Sequence, residues 1–577
     1  MNKRTPYIYI RRAALLIAGL CCSVAGLAQM PWNMEAEYPK HETRAVWVTT
    51  LFNLDWPQTK AKGEAGRERQ QQELCRLLDK LQQAGINTVM LQTRVRGSVI
   101  YPSAIEPWDV CLTGKYDDHP GYDPLAFAVK EAHRRGMELH AWVVSVPAFK
   151  MEVARKMGRK CLLSTHPGLL KKHEGMYYLD PSLPESATYL ASICREIAAN
   201  YDVDGIHLDY IRYPENAKKF PDALSYSRLG KGKSKDEWRR DNINRMVRAV
   251  HDAVREVKPL VKLSSSPVGK YRDTRRQSSK GWNCYDAVAQ DAKRWLREGW
   301  QDMLFPMMYF TGEHFYPFVD DWKEGTAGRP VVPGLGIYFL SPAEKNWPLQ
   351  TVSAQLNVVR QEELGGQAFF RSRFLTDNVK GLYTLLQNTF YACPALPAAM
   401  PWLDDERPTA PASPIYNMEK GLCRVRWAAS TDNHPEAGIT YNVYAGRTWP
   451  VDVADARNIV ATGLRDTTYT FNPFQGLFIA ITAMDRCGNE SDALQLSEKP
   501  DEMEALQGRF LPIKNEKVQV PGPQLPTRYQ ITDMAGRVLH TGTWTRGVGV
   551  SRLKPGFYRL STVGRQGATT PVGWFRK

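Results

Sequence analysis

The sequence lacks the short motifs that identify several large classes of enzyme. No glycine-rich dinucleotide fingerprint follows the first predicted strand, and the chain has no phosphate-binding loop, no nucleophile elbow and no paired spacing of zinc ligands. We therefore predict neither a cofactor nor a bound metal ion.

Cysteine pairing, long apolar runs and nucleic-acid motifs are also missing. Of the ten cysteines, two lie at positions 21 and 22, and the other eight are spaced too irregularly to predict a disulfide framework. Beyond the N-terminus no apolar stretch is long enough to cross a bilayer. The net charge of +15 suits an anionic substrate or a scattered basic surface, and without a recognition motif or a basic arm it does not indicate nucleic acid. We expect a monomer.

The first 28 residues have the features of a secretory signal peptide. Lys3, Arg4, Arg11 and Arg12 form a charged region before a short apolar stretch at 13–27, and small residues end at Ala28, after which we predict cleavage. A lipoprotein attached through Cys21 or Cys22 and an uncleaved anchor are the alternatives. The sequence thus predicts export to the periplasm, the outer-membrane surface or the medium, with residues 29–41 as a linker.

Residues 42–405 alternate strand-like and helix-like segments. Leu74, Leu77, Leu78 and Leu81 repeat at helical spacing, and Gly85 ends that helix. The pattern predicts an α/β fold, a (β/α)8 TIM-type barrel, with strands at 44–50, 86–92, 137–144, 205–209, 261–266, 303–309, 331–337 and 367–370. A doubly wound open sheet is the rival fold, which the missing dinucleotide fingerprint disfavours.

Two small all-β domains are predicted after the barrel. A proline-rich boundary near Arg407 precedes short alternating runs at 409–500, which resemble a fibronectin type III domain. Residues 508–577 are also strand-rich and resemble a C-terminal sorting domain of the type IX secretion system. The boundary predicts few contacts between barrel and tail, and a barrel that folds alone.

The segment 202–214 ends a buried strand in a cluster of polar and aromatic residues. Side chains alternate along a strand, so His207 and Asp209 share one face, and Asp209 stands at the carboxyl end. In a parallel barrel that end carries the catalytic groups, so we predict Asp209 as a catalytic carboxylate. An aspartate that only caps the next helix is the alternative.

Other polar and aromatic residues lie at neighbouring strand ends. Arginine, glutamine and aromatic rings around an aspartate suit a sugar, whose hydroxyls need polar partners and whose flat faces stack on rings. Trp47 is expected to fill the core, whereas Trp142 and Tyr309 fit either core packing or stacking on a sugar. A lone histidine such as His140 or His207 more often forms its hydrogen bonds inside the barrel than takes part in catalysis. The predicted substrate-binding residues are Gln92, Arg94, His140, Trp142, Tyr210, Arg212 and Tyr309.

Several motifs in order resemble the glycosyl hydrolase-like ten family. They are residues 44–50 with 54–57, 87–94, 179–181, 204–214, 295–300 and 306–309, and the likeness runs through residues 42 to about 390. The resemblance implies a (β/α)8 barrel and glycosidase activity on bacterial cell-wall glycan, notably strands stripped of stem peptides. Met307 departs from the glutamine usual in that family, which leaves a neutral dietary or host polysaccharide as an alternative substrate.

Most glycosidases use two carboxyl groups, and the sequence secures only one. Asp209 is predicted as nucleophile or base. Asp55 and Glu313 are the equal candidates for the second carboxyl group, with Asp180 behind them. A non-catalytic carbohydrate-binding surface protein and an adhesin that works through its β-domains remain the alternatives to an enzyme.

Overall fold

The computed structural model describes residues 38–419, 422–471, 477–496, 511–520, 527–533, 536–544, 547–563 and 569–577. The predicted signal peptide lies outside these residues. Within them, no helix has the length and apolar character needed to cross a bilayer.

An eight-stranded parallel sheet forms the first part of the chain. Its members in chain order are β1 (Thr43–Val48), β2 (Thr88–Arg94), β3 (Glu138–Val144), β7 (Gly205–Asp209), β8 (Lys262–Ser265), β9 (Met303–Leu304), β10 (Gly334–Leu335) and β11 (Gly366–Phe369). Between β3 and β7 the chain adds a small antiparallel sheet of β4 (Pro147–Lys150), β5 (Leu170–His173) and β6 (Met176–Leu179). The spatial order of the large sheet is β10-β11-β1-β2-β3-β7-β8-β9. The predicted α/β class and eight-strand count are confirmed.

Hydrogen bonds connect the two edge strands of this sheet. The amide of Val332 donates to the carbonyl of Leu304 at 2.8 Å, and the amide of Gly334 donates to Pro306 at 2.8 Å. The predicted sixth and seventh strands are longer than β9 and β10, because only short parts of these segments form regular ladders. The fourth predicted strand matches β7 at both ends.

A principal helix follows each strand of the large sheet. These helices are α1 (Gly63–Gln83), α2 (Pro124–His133), α3 (Pro184–Asn200), α4 (Lys235–Val257), α5 (Ala292–Arg297), α6 (Tyr316–Lys323), α7 (Leu349–Gln361) and α8 (Ser372–Thr376). Leu74, Leu78 and Leu81 are the buried stripe of α1, and Gly85 follows with φ +80°, a conformation that only glycine adopts without strain. The helical spacing thus predicted a core-facing helix correctly.

The space inside the sheet is filled by large side chains. Trp47 is buried, packs edge-on to Phe305, and donates from Nε1 to Nε2 of His207 at 3.2 Å. His207 Nδ1 pairs with Ser264 Oγ at 2.9 Å. Burial lowers the pKa of His207, so the imidazole is neutral at physiological pH. Trp47 and His207 therefore serve packing, as expected from the sequence.

Two antiparallel sheets pack together at 412–496. One contains β12 (Ala412–Glu419), β13 (Leu422–Ala428) and β16 (Thr468–Phe471), and the other contains β14 (Thr440–Gly446), β15 (Ile459–Leu464), β17 (Phe478–Met484) and β18 (Leu494–Gln495). Trp427 meets Tyr441 edge-on between the sheets, with centroids 5.2 Å apart. This part is called the sandwich below. Its likeness to fibronectin type III stays a prediction.

The C-terminal residues form two further antiparallel sheets. They contain β19 (Ile513–Lys514), β20 (Lys517–Val518) and β23 (Val548–Gly549), and β21 (Thr527–Thr532), β22 (Val538–Trp544), β24 (Phe557–Val563) and β25 (Thr569–Arg576). All-β structure is thus present where it was expected. The sorting-domain resemblance stays a prediction.

The sandwich docks on the amino-terminal ends of β3 and β7. Arg486, in the turn after β17, bonds Asp202 at 2.6 Å and approaches Asp204 at 3.4 Å. Burial opposes the charge of Arg486, but the two carboxylates outweigh it and raise its pKa. Arg465 reaches Asp202 and His133 from the neighbouring strand end. The expectation of few contacts across the proline-rich boundary is therefore wrong.

We expect Arg486→Ala to loosen this docking. The substitution removes a largely buried guanidinium from Asp204, whose side chain is only 12% exposed and keeps His133 as its ion-pair partner, and it should lower the free energy of unfolding by about 2–3 kcal/mol. Arg465→Ala is the matched control, because its ion pair is nearly half exposed and should contribute less than about 1 kcal/mol. Urea unfolding of the full chain measures the free energy of unfolding of both variants. Equal losses would show that the burial of Arg486 does not strengthen its ion pairs.

Candidate functional site

Asp209 lies at the carboxyl end of β7 and is held by three donors. Trp142 Nε1 donates to Oδ2 at 3.0 Å, Ser266 Oγ donates to Oδ1 at 2.8 Å, and the amide of Tyr210 donates to Oδ1 at 2.8 Å. These donors come from β3, from the residue that follows β8 and from the residue that follows Asp209 in the chain. The carboxylate is therefore fixed in one orientation at the end of the sheet where parallel barrels carry their chemistry.

Burial raises the pKa of Asp209 above its ordinary value. The hydrogen bonds from Ser266 and Tyr210, the charge of Arg212 and the bond from Trp142 act in the opposite direction without cancelling the effect of burial. Asp209 thus holds its proton to a higher pH than an exposed aspartate does. Above that pH it is a buried, oriented carboxylate, the state that a nucleophile or base requires.

Tyr210 and Arg212 form one wall beside Asp209. Tyr210 has φ +50°, which is strained for a residue with a side chain. The guanidinium of Arg212 lies 4.5 Å from the Tyr210 ring centre and 5.6 Å from that of Trp282, whose side chain is 41% exposed. Arg212 Nε is buried without a hydrogen-bond partner among the described residues. This wall therefore combines a cation with two rings.

Aromatic residues from the last strands form a second wall. Tyr309 stacks on Phe370 with ring centres 5.5 Å apart and meets Tyr338 edge-on at 5.8 Å. Burial, then the charge of Asp209, raises the pKa of Tyr309. Tyr309 therefore lies within the electrostatic field of Asp209, and half-buried Met307 precedes it on the same rim. The surface is largely apolar, as sugar stacking requires.

Arg94 and Gln92 lie behind the site and bind the protein itself. Arg94 is fully buried, and its guanidinium pairs with Glu106 at 2.7 and 2.8 Å and donates to the carbonyls of Val144 and Ser145. Gln92 Oε1 accepts from the amides of Thr50 and Leu51, at 3.0 and 2.8 Å. The structure therefore corrects the expectation that both residues offer polar groups to a substrate.

His140 is at the opposite end of the barrel from Asp209. It is fully buried near the start of β3, pairs with Gly205 across the sheet, and lies 3.2 Å from Glu138. A β-carbon at Gly205 would come within 2.7 Å of the His140 ring, so glycine is required there. The predicted substrate contact of His140 is not supported by this position.

The three candidates for a second carboxyl group differ in their surroundings. Asp55 is buried, pairs with Arg371 and accepts from the amides of Thr49 and Arg373. Burial raises its pKa against the charge of Arg371. Glu313 is exposed and accepts from Ser278 Oγ at 2.7 Å.

The third candidate, Asp180, is buried, and its Oδ1 accepts from the amide and hydroxyl of Ser182. Lys171 lies 3.5 Å from its other oxygen. None of the three carboxylates shares a hydrogen-bond partner with Asp209 in the described ranges. Only Glu313 extends into solvent with an oxygen to spare.

Arg96 is a rim residue that the sequence analysis missed. It is half-buried, and its charge lowers the pKa of Tyr210 and of Tyr178 against the larger raising effect of burial. Arg212 acts on the same two tyrosines. Arg96 forms no ion pair with any residue in the described part of the chain. Arg96 lies two residues after Arg94, and regular alternation along a strand would place both side chains on one face. The register of β2 against β3 shifts between Gln92 and Arg94, and this shift interrupts the alternation of side chains.

The chain matches one family model and several known proteins. The family model described as glycosyl hydrolase-like 10 matches residues 42–323. The glycosyl hydrolase YngK of Bacillus subtilis is 30% identical over 79% of this chain and 93% of its own length. The glycosyl hydrolase DigH of Escherichia coli K12 is 32% identical over 53% of this chain and 77% of its own.

Among solved structures, the glycoside hydrolase domain of PgaB (BpsB) from Bordetella bronchiseptica is 13% identical. The alignment covers 60% of this chain and 98% of that domain, with a TM-score of 0.41.

Proposed function

Since this chain belongs to the glycosyl hydrolase-like 10 family and is therefore a glycosidase, we propose that Asp209 is its catalytic nucleophile or base and that peptidoglycan strands lacking stem peptides are its substrate. The observation that carries the proposal is the carboxylate of Asp209, which accepts three hydrogen bonds at the carboxyl end of its strand. Family membership removes the alternative of a protein that only binds carbohydrate.

Glu313 is the stronger candidate for the acid that protonates the leaving oxygen. Its carboxylate is exposed and has one hydrogen bond, whereas the oxygens of Asp55 are bound by Arg371 and two backbone amides. A leaving-group oxygen could reach Glu313 without breaking an ion pair. Asp55 then orients the loop after β1 and the segment after β11.

The charge near the mouth supports an anionic glycan. Strands stripped of their peptides carry free lactyl carboxylates, the guanidinium of Arg212 lies 4.5 Å from the Tyr210 ring centre, and the charge of Arg96 acts on the same tyrosine. Charge-assisted bonds from arginine suit a carboxylate, and the rings of Tyr210 and Trp282 suit a sugar face. The predicted export of the chain supports an envelope substrate.

A neutral polysaccharide is the second candidate because of Met307. A thioether at the rim offers no strong hydrogen bond to a sugar hydroxyl, and Met307 is partly exposed there. Under this alternative the arginines orient the site and the glycosidase assignment is unchanged.

The substrate is tested with amidase-stripped peptidoglycan, intact peptidoglycan and neutral α- and β-glucans in one buffer, with products read by mass. We expect faster release from the stripped strands. Arg96→Gln and Arg212→Gln should each raise KM for them by about 10-fold or more, because each removes one charge-assisted bond.

Arg248→Gln, on the exposed face of α4, is the matched control and should leave KM unchanged. Cleavage of neutral glucans alone would contradict the peptidoglycan proposal. Unchanged KM in both rim variants would contradict the role of the arginines.

A further inference from the structure

Three aspartates from separate segments converge where the barrel joins the sandwich. Asp404 follows the last barrel residues, Asp432 lies between β13 and β14, and Asp485 comes directly after β17. One carboxylate oxygen of each residue lies within 4.8 Å of one oxygen of each of the others. Two oxygens that bind the same Ca²⁺ are at most about 5 Å apart, since each Ca–O distance is about 2.3–2.6 Å.

Two carboxylate oxygens in this cluster are buried and have no hydrogen-bond partner among the described residues. They are Oδ2 of Asp404 and Oδ1 of Asp432, and Asp404 as a whole is only 9% exposed. The other oxygen of Asp404 is occupied by Asn433 Nδ2 at 3.0 Å and by the amide of Glu406 at 3.2 Å. Asp404 and Asp432 thus each keep one buried oxygen without a donor, which is costly unless a ligand supplies positive charge.

No cation among the residues that the structure describes pairs with this cluster. In the described ranges, no lysine, arginine or histidine forms an ion pair with Asp404, Asp432 or Asp485. Burial raises the pKa of Asp485, the bonds from Asn489 oppose this, and the charges of Asp432 and Asp404 raise it further. When carboxylates are held close together in a buried place, each negative charge disfavours the ionised form of the others.

We propose that Asp404, Asp432 and Asp485 bind one Ca²⁺ ion. The donor set consists only of oxygen, which suits hard cations and disfavours zinc or copper. Mg²⁺ demands near-ideal octahedral geometry and gives up its water reluctantly, whereas Ca²⁺ accepts irregular sites built from loops. The three aspartates belong to loops and a linker, so Ca²⁺ is the better match.

Calcium at this place ties the barrel to the sandwich. Asn489 Nδ2 donates to Asp485 Oδ2 at 2.7 Å and to the backbone carbonyl of Asp404 at 2.8 Å. The same turn accepts a bond from the barrel side, where the amide of Met400 donates to Cys487 at 2.7 Å. The ion therefore stabilises the turn that carries Arg486 to its docking position, and it takes no part in bond cleavage.

The test uses the full chain, stripped of metal with EDTA and dialysed into calcium-free buffer. We expect isothermal titration with CaCl2 to give one ion per chain with a Kd of about 10⁻⁴–10⁻³ M, as in extracellular calcium modules. About 10 mM Ca²⁺ should raise Tm by about 2 °C or more at constant ionic strength. Mg²⁺ at the same concentration should give a smaller shift.

Asp404→Asn, Asp432→Asn and Asp485→Asn should each abolish the calcium-dependent shift, whereas the exposed neighbour change Asp405→Asn should keep it. Should Asp485→Asn fail to fold, Asp432→Asn carries the comparison, because its side chain is the less buried. A parent chain that binds no calcium at about 10 mM overturns the proposal. So does a shift that survives in the asparagine variants that fold.

Discussion

Asp209→Asn is expected to abolish glycan cleavage in a chain that remains folded. Asparagine keeps the shape and the bonds from Ser266 and Tyr210, but it removes the charge that a nucleophile or base must provide. We expect kcat to fall by about 10³-fold or more. Reducing-end release measures the loss, and urea unfolding measures the fold.

Two further variants make this result specific. Glu313→Gln should reduce kcat strongly if Glu313 is the acid, and it should spare leaving groups that depart without a proton. Asp55→Asn should instead lower stability, because Arg371 loses its partner. Turnover by Asp209→Asn within a few-fold of the parent would refute the catalytic assignment, and loss of the fold alone would show that the carboxylate serves packing.

Glu106→Gln is expected to be the most destabilising single change in the barrel. Glu106 and Arg94 have no exposed side-chain surface, and Glu106 also accepts from the hydroxyl of Tyr189 at 2.9 Å. Removing its charge leaves the Arg94 guanidinium buried and uncompensated. We expect a loss of about 3–5 kcal/mol in the free energy of unfolding.

The exposed pair Arg276 with Glu324 provides the control. Its side chains are about 60% exposed, so Glu324→Gln should have little effect on the free energy of unfolding. The double change Arg94→Met with Glu106→Leu removes both charges and should recover much of the stability. If Glu106→Gln and Glu324→Gln lower the free energy of unfolding by the same amount, burial does not govern the strength of the Arg94–Glu106 pair.

Simple periodicity in the sequence located the rim that carries Asp209. Alternation along a five-residue apolar strand placed Asp209 at the carboxyl end, and the same rule brought Trp142 and Tyr309 to the mouth. These predictions succeed because the strand direction fixes which end carries a residue. The hydrogen bond from Trp142 and the electrostatic contact with Tyr309 are consistent with that placement.

Periodicity gives the face of a strand but not the height of a residue or the path of a long side chain. His140 shares a face with Trp142 yet stands one layer nearer the start of β3, away from the mouth. Arg94 turns towards Glu106, which lies twelve residues later in a loop. Arg96 escaped notice because a register shift in β2 interrupts the alternation. Such partners depend on loop conformation, which no local pattern reports.

The contact between barrel and sandwich was unpredictable for a different reason. Arg486 lies in a turn with no distinctive sequence pattern. Asp202 and Asp204 precede β7, the strand whose other end carries Asp209. A proline-rich boundary indicates a change of module, but it does not report whether the modules touch.

The docking of the sandwich also places this module at the end of β7 opposite Asp209. Arg486 contacts the segment before β7, whereas Asp209 lies at the carboxyl end of the same strand, so the strand runs from the docking surface to the proposed reaction centre. A glycan can enter from the side that the sandwich leaves uncovered. A partner bound to the sandwich would lie at the end of the barrel opposite Asp209. A bound glycan would lie at the Asp209 end.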